Sequence, residues 1–597
     1  MIAYDITPID LHGHLFNVSL TIEQTNDEQE LWLPNWIPGS YLIRDFSKHI
    51  IGLHAESNGL SLPVKQISKN RWQLARSKHP VTVHYQVYAW DLSVRSAYLD
   101  QFQGFFNNTS LCLAVEGQTD LPCELHLHAP PEAPLWKVAT GMPRKSGQPH
   151  SWGCFRADNY DALIDYPFLI GDLTIEEFIA HGIKHSLVLS GRHYADTSRI
   201  TADLAKICET QISLFEEAPF QSYTFLTMVV GNGFGGLEHR NSTALLCSRK
   251  DLISAHQYEM NDNYQTFLSL CCHEYFHSWN IKTLKPKAFL PYQLEKESYT
   301  EQLWFYEGMT SYFDDYLLHT SGIIDEKRYL KLLGDTLSRV ERGAGQYQQS
   351  VTESSFLAWT KFYQQNENAP NSIVSYYAKG ALIALSLDLM LRLQSDHKLT
   401  LARVMKELWH EFGKTSIGTA DDTVINWLNQ YPGIDISDFL KDALYNKESL
   451  SLVELLQNFG VMVQKQVPVD DNSVGGKASE QPARVNFGAK YKASPQGLDV
   501  LNVYHDESAY HAGLSAGDKI IAIDHLQATE QSVKRILERY IPGDTVTIHA
   551  FRRDELMTLE LTWQEPAKSS YVLSVEQPDK LKGWLTPSGL EHHHHHH

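Results

Sequence analysis

The chain lacks any apolar run of about 18 residues, the length a membrane-crossing helix requires, so no span is expected. Met1 to Asp10 has neither a basic start nor an apolar stretch, which argues against a secretory leader there. Cysteine is scarce. Seven residues (Cys112, Cys123, Cys154, Cys208, Cys247, Cys271 and Cys272) are odd in number and scattered through 597 positions. That excludes a disulfide framework and points to free thiols in a reducing cytosol, hence a cytoplasmic location. Positive charge is also in deficit: 51 Lys and Arg face 71 Asp and Glu, a net −20. Such a surface repels nucleic acid and anionic membranes, and an acidic balance suits amine-bearing substrates weakly.

What is present is a long globular chain, 43% hydrophobic and 20% charged. Its length exceeds one core and implies about three to five domains. The chain is organised around His273-Glu274-Tyr275-Phe276-His277. On a helix, histidines four positions apart share one face at about 6 Å, which suits two ligands of a tetrahedral zinc. Glu274 then lies beside the metal. Zinc lowers the pKa of a bound water to about 7, and a neighbouring carboxylate can take the proton during attack on a carbonyl. Asn261 to Leu270 has no proline or glycine, and Phe267, Cys271 and Tyr275 form an apolar row at four-residue spacing, so the motif reads as helical. Pro286 stops any helix that passes Asn280. The adjacent pair Cys271-Cys272 reads as packing rather than as a further ligand.

A zinc of this kind needs a third protein ligand and an open position. Leu303 to Phe313 (LWFYEGMTSYF) reads as a second helix with Glu307 among apolar and aromatic side chains. Burying that carboxylate unpaired is costly. Coordination of a metal explains its position; a salt bridge or an exposed helix face are the plainer explanations.

Together, His273 to Asn280 (HEYFHSWN) and Leu303 to Phe313 resemble the gluzincin metallopeptidases. The wording is most similar to the glycyl aminopeptidase family, PDZ-containing relatives of the alanyl aminopeptidases. The resemblance implies one Zn2+ per chain held by His273, His277 and Glu307, with Glu274 as general base.

From residue 1 to 167 period-2 segments such as Leu15–Ile22 and Val81–Val87 predict a β-rich, sandwich-like domain. Within it, Leu33 to Asp45 carries Trp36-Ile37-Pro38-Gly39-Ser40-Tyr41 and Arg44. This resembles the family motif PxWxPGSYxxR, and a tight structural corner accounts for it best.

Residues 168–463 read as a thermolysin-like catalytic domain: strands (Ser186–Leu189, Tyr223–Val230) mixed with helices such as Ser198–Glu217, then a helical half. Apolar stripes predict helices over Tyr329–Arg339, Ser375–Leu393, Leu401–Phe412, Ala420–Gln430 and Ser437–Tyr445. Glycines in Gly231 to His239 let a backbone run close to a peptide that pairs as an added strand. Phosphate binding explains these glycines poorly, since no strand–glycine–helix unit with a downstream acid follows. Gly235 to His239 is similar to the GxMEN segment of the alanyl aminopeptidases, with Leu237 for methionine and His239 for asparagine. By that likeness Glu238 grips the free ammonium of the substrate, with Gly235 and Gly236 beside it. Ser375 to Gly380 is similar to the YxKG motif, whose phenol donates to the oxyanion. Alignment on Lys379-Gly380 selects Tyr377, with Tyr376 as the alternative.

Residues 464–488 have linker composition. Residues 489–570 resemble a PDZ domain, chiefly through Ala512-Gly513-Leu514-Ser515-Ala516-Gly517-Asp518 and the strand after it. Its peptide-carboxylate loop is degenerate at Ser494 to Leu498, so a structural or substrate-restricting role is as well supported as peptide capture. Residues 590–597 read as a cloning scar and histidine tag. The function implied by the resemblance is zinc-dependent release of small N-terminal residues, glycine or alanine, from peptides with a free N-terminus. Two alternatives stay open: a zinc endopeptidase with PDZ-guided recruitment, and a non-catalytic PDZ-containing binding protein. Oligomeric state is not legible.

Overall fold

The computed structural model describes residues 1–473 and 475–586; the scar and tag lie outside the described residues. The chain divides into two compact units, Met1–Tyr299 with Met405–Ala420, and Thr300–Val404 with the residues from Asp421 onward.

The first unit begins with an eight-stranded sheet. From edge to edge its strands are Arg144–Ser146, Gly153–Ala157, Cys123–Leu127, Ile2–Asp10, Leu15–Ile22, Val81–Tyr88, Ile50–Ser57 and Leu60–Leu62. Alternate residues turn inward: Ile2, Tyr4 and Ile6 on one strand, Phe16, Val18, Leu20 and Ile22 on the next, all buried. They face a four-stranded sheet that includes Gln103–Phe106 and Phe168–Gly171. Phe16 meets Phe106 edge-on at 5.2 Å and Phe155 meets Phe168 at 5.1 Å, so two sheets share an aromatic core. The β-rich N-terminal domain expected from the alternation is present.

A mixed five-stranded sheet follows, ordered Thr174–Ala180, Ile183–Ser190, Ser222–Val230, Ser242–Ser248, Gly235–Glu238. Its three inner strands are parallel and mostly buried, as strands covered on both faces are. Gly235–Glu238 is an edge strand, paired on one side only. Helix Thr197–Phe215 starts at Asp196, whose carboxylate accepts the Arg199 N–H at 3.1 Å. Helix Asp262–Phe276 starts at Asn261, whose side chain accepts the Tyr264 N–H at 2.9 Å. The predicted row Phe267, Cys271, Tyr275 is fully buried. Cys272 receives the Gln211 amide on its carbonyl at 2.9 Å, so the cysteine pair is packing. All seven cysteines are buried and none is in a disulfide.

The second unit is helical at its start: Leu303–Thr320, Glu326–Arg342 and Ala378–Gln394 are its long helices. The last was expected from Ser375; the Ser375 hydroxyl instead accepts the Ala378 N–H at 3.1 Å and caps it. Residues 464–466, expected as linker, are strand: Val461–Gln466 pairs antiparallel with Ser570–Val575, beyond the sequence-based end of the last domain. Strands Ala489–Ser494, Gly497–Val503, Lys519–Ile523, Thr545–Arg552 and Glu555–Thr562 form a sheet with helices Ser508–Ala512 and Glu530–Arg539. This module has its own core, from Val485 and Phe487 to Leu561 and Trp563. Arg342 joins it to the helical part. Its guanidinium lies 3.6 Å over the Tyr504 ring and donates to Glu507 at 2.8 Å and Asp471 at 2.7 Å. Among the described residues no helix is long and apolar enough to cross a membrane.

Candidate active site

In the first unit the HExxH helix ends at Phe276, so His273 lies in its last turn and His277 just past its end. The Nε2 atoms of the two rings are 3.2 Å apart. Two imidazoles on one tetrahedral zinc, at Zn–N of about 2.0–2.1 Å, have nitrogens about 3.3 Å apart, so the pair is spaced for one ion. His277 Nδ1 lies 2.9 Å from the Asn280 carbonyl. That oxygen can only accept, so it fixes the proton on Nδ1 and leaves the Nε2 lone pair for a metal. The helix stops here because the chain turns: the Lys282 N–H reaches back to the His277 carbonyl at 3.0 Å, and Ile281 adopts φ 133. A β-branched residue with positive φ is strained, and the strain falls between a metal-ligand candidate and Lys282.

Glu274 and Glu238 converge on the same point. Glu238 Oε2 is 3.0 Å from His277 Nε2. Ligand atoms of Glu238, Glu274 and His277, all three buried, lie within 4.8 Å of one another. Gly236 permits this: a Cβ there would sit 2.9 Å from Glu274 Oε1 and 3.0 Å from its Cγ. Gly235 is open, with only an Arg95 nitrogen within 4 Å of such an atom, at 3.9 Å.

The Trp36–Arg44 segment is more than a corner. Trp36 is wholly buried and its indole N–H donates to the Gln293 and Lys296 carbonyls, at 2.8 and 2.9 Å. That anchor brings Gly39, at φ 98, against Glu238. A Cβ on Gly39 would stand 2.3 Å from Glu238 Oε1 and 2.8 Å from Leu237 Cδ1. His239 fills the place of the family asparagine, its Nδ1 2.9 Å from Asp165, which also takes Lys282 at 3.1 Å. Burial works against the Asp165 carboxylate, but Lys282 and His239 outweigh it and hold it well below the usual carboxylate range. None of Gly39, Asp165, Lys282 or Asn280 was singled out from the sequence as part of a site. The two prolines and the glycine around Trp36 were the available signal for Gly39; nothing in local spacing marks Asp165.

The second unit carries the other candidates. Glu307 is buried on helix Leu303–Thr320, and Tyr377 stands at the start of helix Ala378–Gln394. These helices touch through glycines. A Cβ on Gly308 would be 2.6 Å from Gly380 Cα, and one on Gly380 would be 2.7 Å from the Trp304 carbonyl. Bare backbone contact at EG and KG therefore brings Glu307 and Tyr377 near each other. Burial first, and then the Glu307 charge, push the Tyr377 phenol well above its ordinary value, so it stays protonated and can donate. Its hydroxyl is 3.3 Å from that of Tyr363. Tyr376 is wholly buried against Phe362, whereas Tyr377 is half-buried. Lys379 turns away, its ammonium on the Glu448 carbonyl at 2.9 Å.

Paired imidazoles with a fixed tautomer, a carboxylate one residue along and a second carboxylate on an edge strand define a metallopeptidase-type centre. Residues 3–172 match the Peptidase M61 N-terminal domain, and residues 266–383 match the M61 glycyl aminopeptidase. Two segments of the chain thus match models of the M61 family, and the chain is a metallopeptidase. No curated protein matches it. Among solved structures it is similar to a mutant M1 zinc metallopeptidase from Deinococcus radiodurans bound to a Tyr-Ser-Ala substrate. That likeness has 11% identity and a TM-score of 0.49, over 76% of this chain and 94% of the other. It is also similar to yeast LTA4 hydrolase in complex with bestatin, at 14% identity and a TM-score of 0.48, over 77% of this chain and 70% of the other.

Proposed function

We propose that this chain is a zinc aminopeptidase that releases small N-terminal residues from peptides. The observation that carries the proposal is the buried carboxylate of Glu238, 3.0 Å from His277 and beside Glu274, on an edge strand with a free side. A peptide that adds to this edge leads its N-terminus to Glu238, whose charge pairs with a free ammonium group. By the gluzincin pattern of the sequence, His273, His277 and Glu307 are the metal ligands. Zinc, when bound, acidifies water and polarises the scissile carbonyl. Glu274 takes the proton from the attacking water and delivers it to the leaving amine. Tyr377 donates its phenolic hydrogen to the oxyanion; Tyr376, with no exposed surface, does not. Gly39 closes the amine end of the cleft, in keeping with a small first residue. The module over residues 489–570 is PDZ-like and restricts or guides substrate. A reducing, cytosolic compartment fits seven cysteines outside any disulfide.

The 3.0 Å contact supports one other arrangement, in which Glu238 and not Glu307 is the third ligand. Zinc affinity separates the two: Glu307→Gln, and not Glu238→Gln, is expected to lower it by at least tenfold. The test of function is turnover of glycyl and alanyl anilides against matched Nα-acetylated peptides, with chelation and zinc restoration. Free-amine substrates alone should be cut, and Glu274→Gln should lose at least 100-fold in kcat while retaining one zinc. Cleavage of the blocked peptides makes the enzyme an endopeptidase. Stoichiometric zinc without turnover makes it a binding protein.

A further inference from the structure

The outer face of the eight-stranded sheet carries a second group of metal-binding side chains, apart from the cleft. Glu124 and His126 lie two apart on strand Cys123–Leu127 and so project from the same face. Cys154, on strand Gly153–Ala157, is the cross-strand partner of His126. His126 Nε2 is 3.6 Å from Cys154 Sγ and 3.3 Å from Glu124 Oε2, and the three ligand atoms lie within 4.8 Å of one another. A tetrahedral zinc, with Zn–N of about 2.0–2.1 Å and Zn–S of about 2.3 Å, has N–S and N–O edges of about 3.6 and 3.3 Å. Both separations match those edges.

The Cys154 thiol also reaches the Phe155 carbonyl, but only at a long 3.8 Å, and hydrogen bonding explains the cluster less well than a cation does. A neutral imidazole nitrogen offers either one proton or one lone pair. If Nε2 donates to Glu124, it meets in Cys154 only a weak sulfur acceptor. If it accepts from the thiol, its lone pair faces a carboxylate oxygen. A cation between the three atoms removes the conflict. Lys145 does not block the place, because its ammonium holds Glu124 by the other oxygen, Oε1. Glu124 and Cys154 are nearly buried, while the His126 ring keeps 38% of its surface exposed and leaves a side open for water.

We propose that Glu124, His126 and Cys154 form a second, non-catalytic site for a zinc-class divalent cation, with water as the fourth ligand. One thiolate and one carboxylate balance the double charge. Sulfur and imidazole together select zinc or cobalt over magnesium or calcium. The ion clips two neighbouring strands of the N-terminal sheet.

The probe is Co2+, added to metal-free, tag-free full-length protein. The proposed catalytic ligands contain no sulfur, so a near-ultraviolet thiolate-to-cobalt absorption reports the second site alone. Wild type is expected to take two equivalents and to develop this band. Cys154→Ser should abolish it, His126→Ala should weaken cobalt binding at least tenfold, and Lys145→Met should tighten it by freeing the carboxylate. Zinc should raise the Tm of wild type more than that of Cys154→Ser, and all three variants should keep wild-type peptidase turnover. Should Cys154→Ser fail to fold, the opposite shifts of His126→Ala and Lys145→Met decide. A single equivalent with no thiolate band, or a band that survives Cys154→Ser, overturns the proposal and leaves the active-site assignment untouched.

Discussion

Gly308→Ala is the sharpest test of how the second unit places Glu307 and Tyr377. A methyl group there would lie 2.6 Å from Gly380 Cα and carbonyl carbon, where ordinary contact begins at 3.4 Å, so the two helices must part by about 0.8 Å. Overpacking of this kind costs about 1–3 kcal/mol. Alanine returns about 1 kcal/mol of helix propensity relative to glycine, which leaves a net loss of about 0–2 kcal/mol. For a unit of this size that lowers Tm by at most roughly 8 °C. The catalytic effect is larger, because Glu307 precedes Gly308 and Tyr377 lies three residues before Gly380. Misplacement by about 1 Å costs on the order of 100-fold in rate. The expected result is a folded protein with kcat/KM for a glycyl anilide down about 100-fold, measured together with Tm and zinc content. Gly380→Ala should behave alike, since its methyl group would meet the Trp304 carbonyl at 2.7 Å. Turnover within twofold of wild type in the folded variant, or a loss no greater than the unfolded fraction, refutes the reasoning.

Tyr377→Phe should lower kcat by about 100–1,000-fold with little change in KM, while Tyr376→Phe, which alters a buried ring, should stay near wild type; steady-state kinetics on both decide which phenol acts. Gly39→Ala should raise KM for free-amine substrates about tenfold, because its methyl group displaces the Glu238 carboxylate and the backbone there has φ 98; unchanged KM would remove Gly39 from the amine pocket. Burial lowers the His185 pKa to about 4, its ring being neutral between the Ile183 carbonyl and the Tyr275 hydroxyl. The unfolded chain binds this proton at about pH 6.5, so stability is complete above that value and falls as pH drops toward 4, by on the order of 3 kcal/mol. Urea unfolding of wild type and His185→Gln across this range should show a smaller pH dependence in the variant, and equal slopes would refute the assignment.

The helix stop shows where local information ran out. Nothing in His273 to Pro286 places the end at Phe276, because the turn is made by the Lys282 N–H on the His277 carbonyl and by an Ile281 backbone that no local propensity favours. The helix Ala378–Gln394 starts later than its apolar stripe for a local reason, the Ser375 hydroxyl that accepts the Ala378 N–H. Strand Val461–Gln466 was missed because its partner, Ser570–Val575, lies about a hundred positions away.

By itself the sequence determined the pieces whose chemistry is local. A four-residue spacing puts two imidazoles side by side, alternation with period two makes the strands of the β-rich domain, and few, scattered cysteines form no disulfide. Tertiary structure alone decided the rest. Gly39 meets Glu238, Gly236 admits Glu274, and Asp165 holds His239 and Lys282, contacts between segments tens to hundreds of residues apart. The glycines were visible as letters, but what each must leave room for is fixed only when a second backbone or side chain arrives at van der Waals distance, and no spacing along one strand of sequence encodes that arrival.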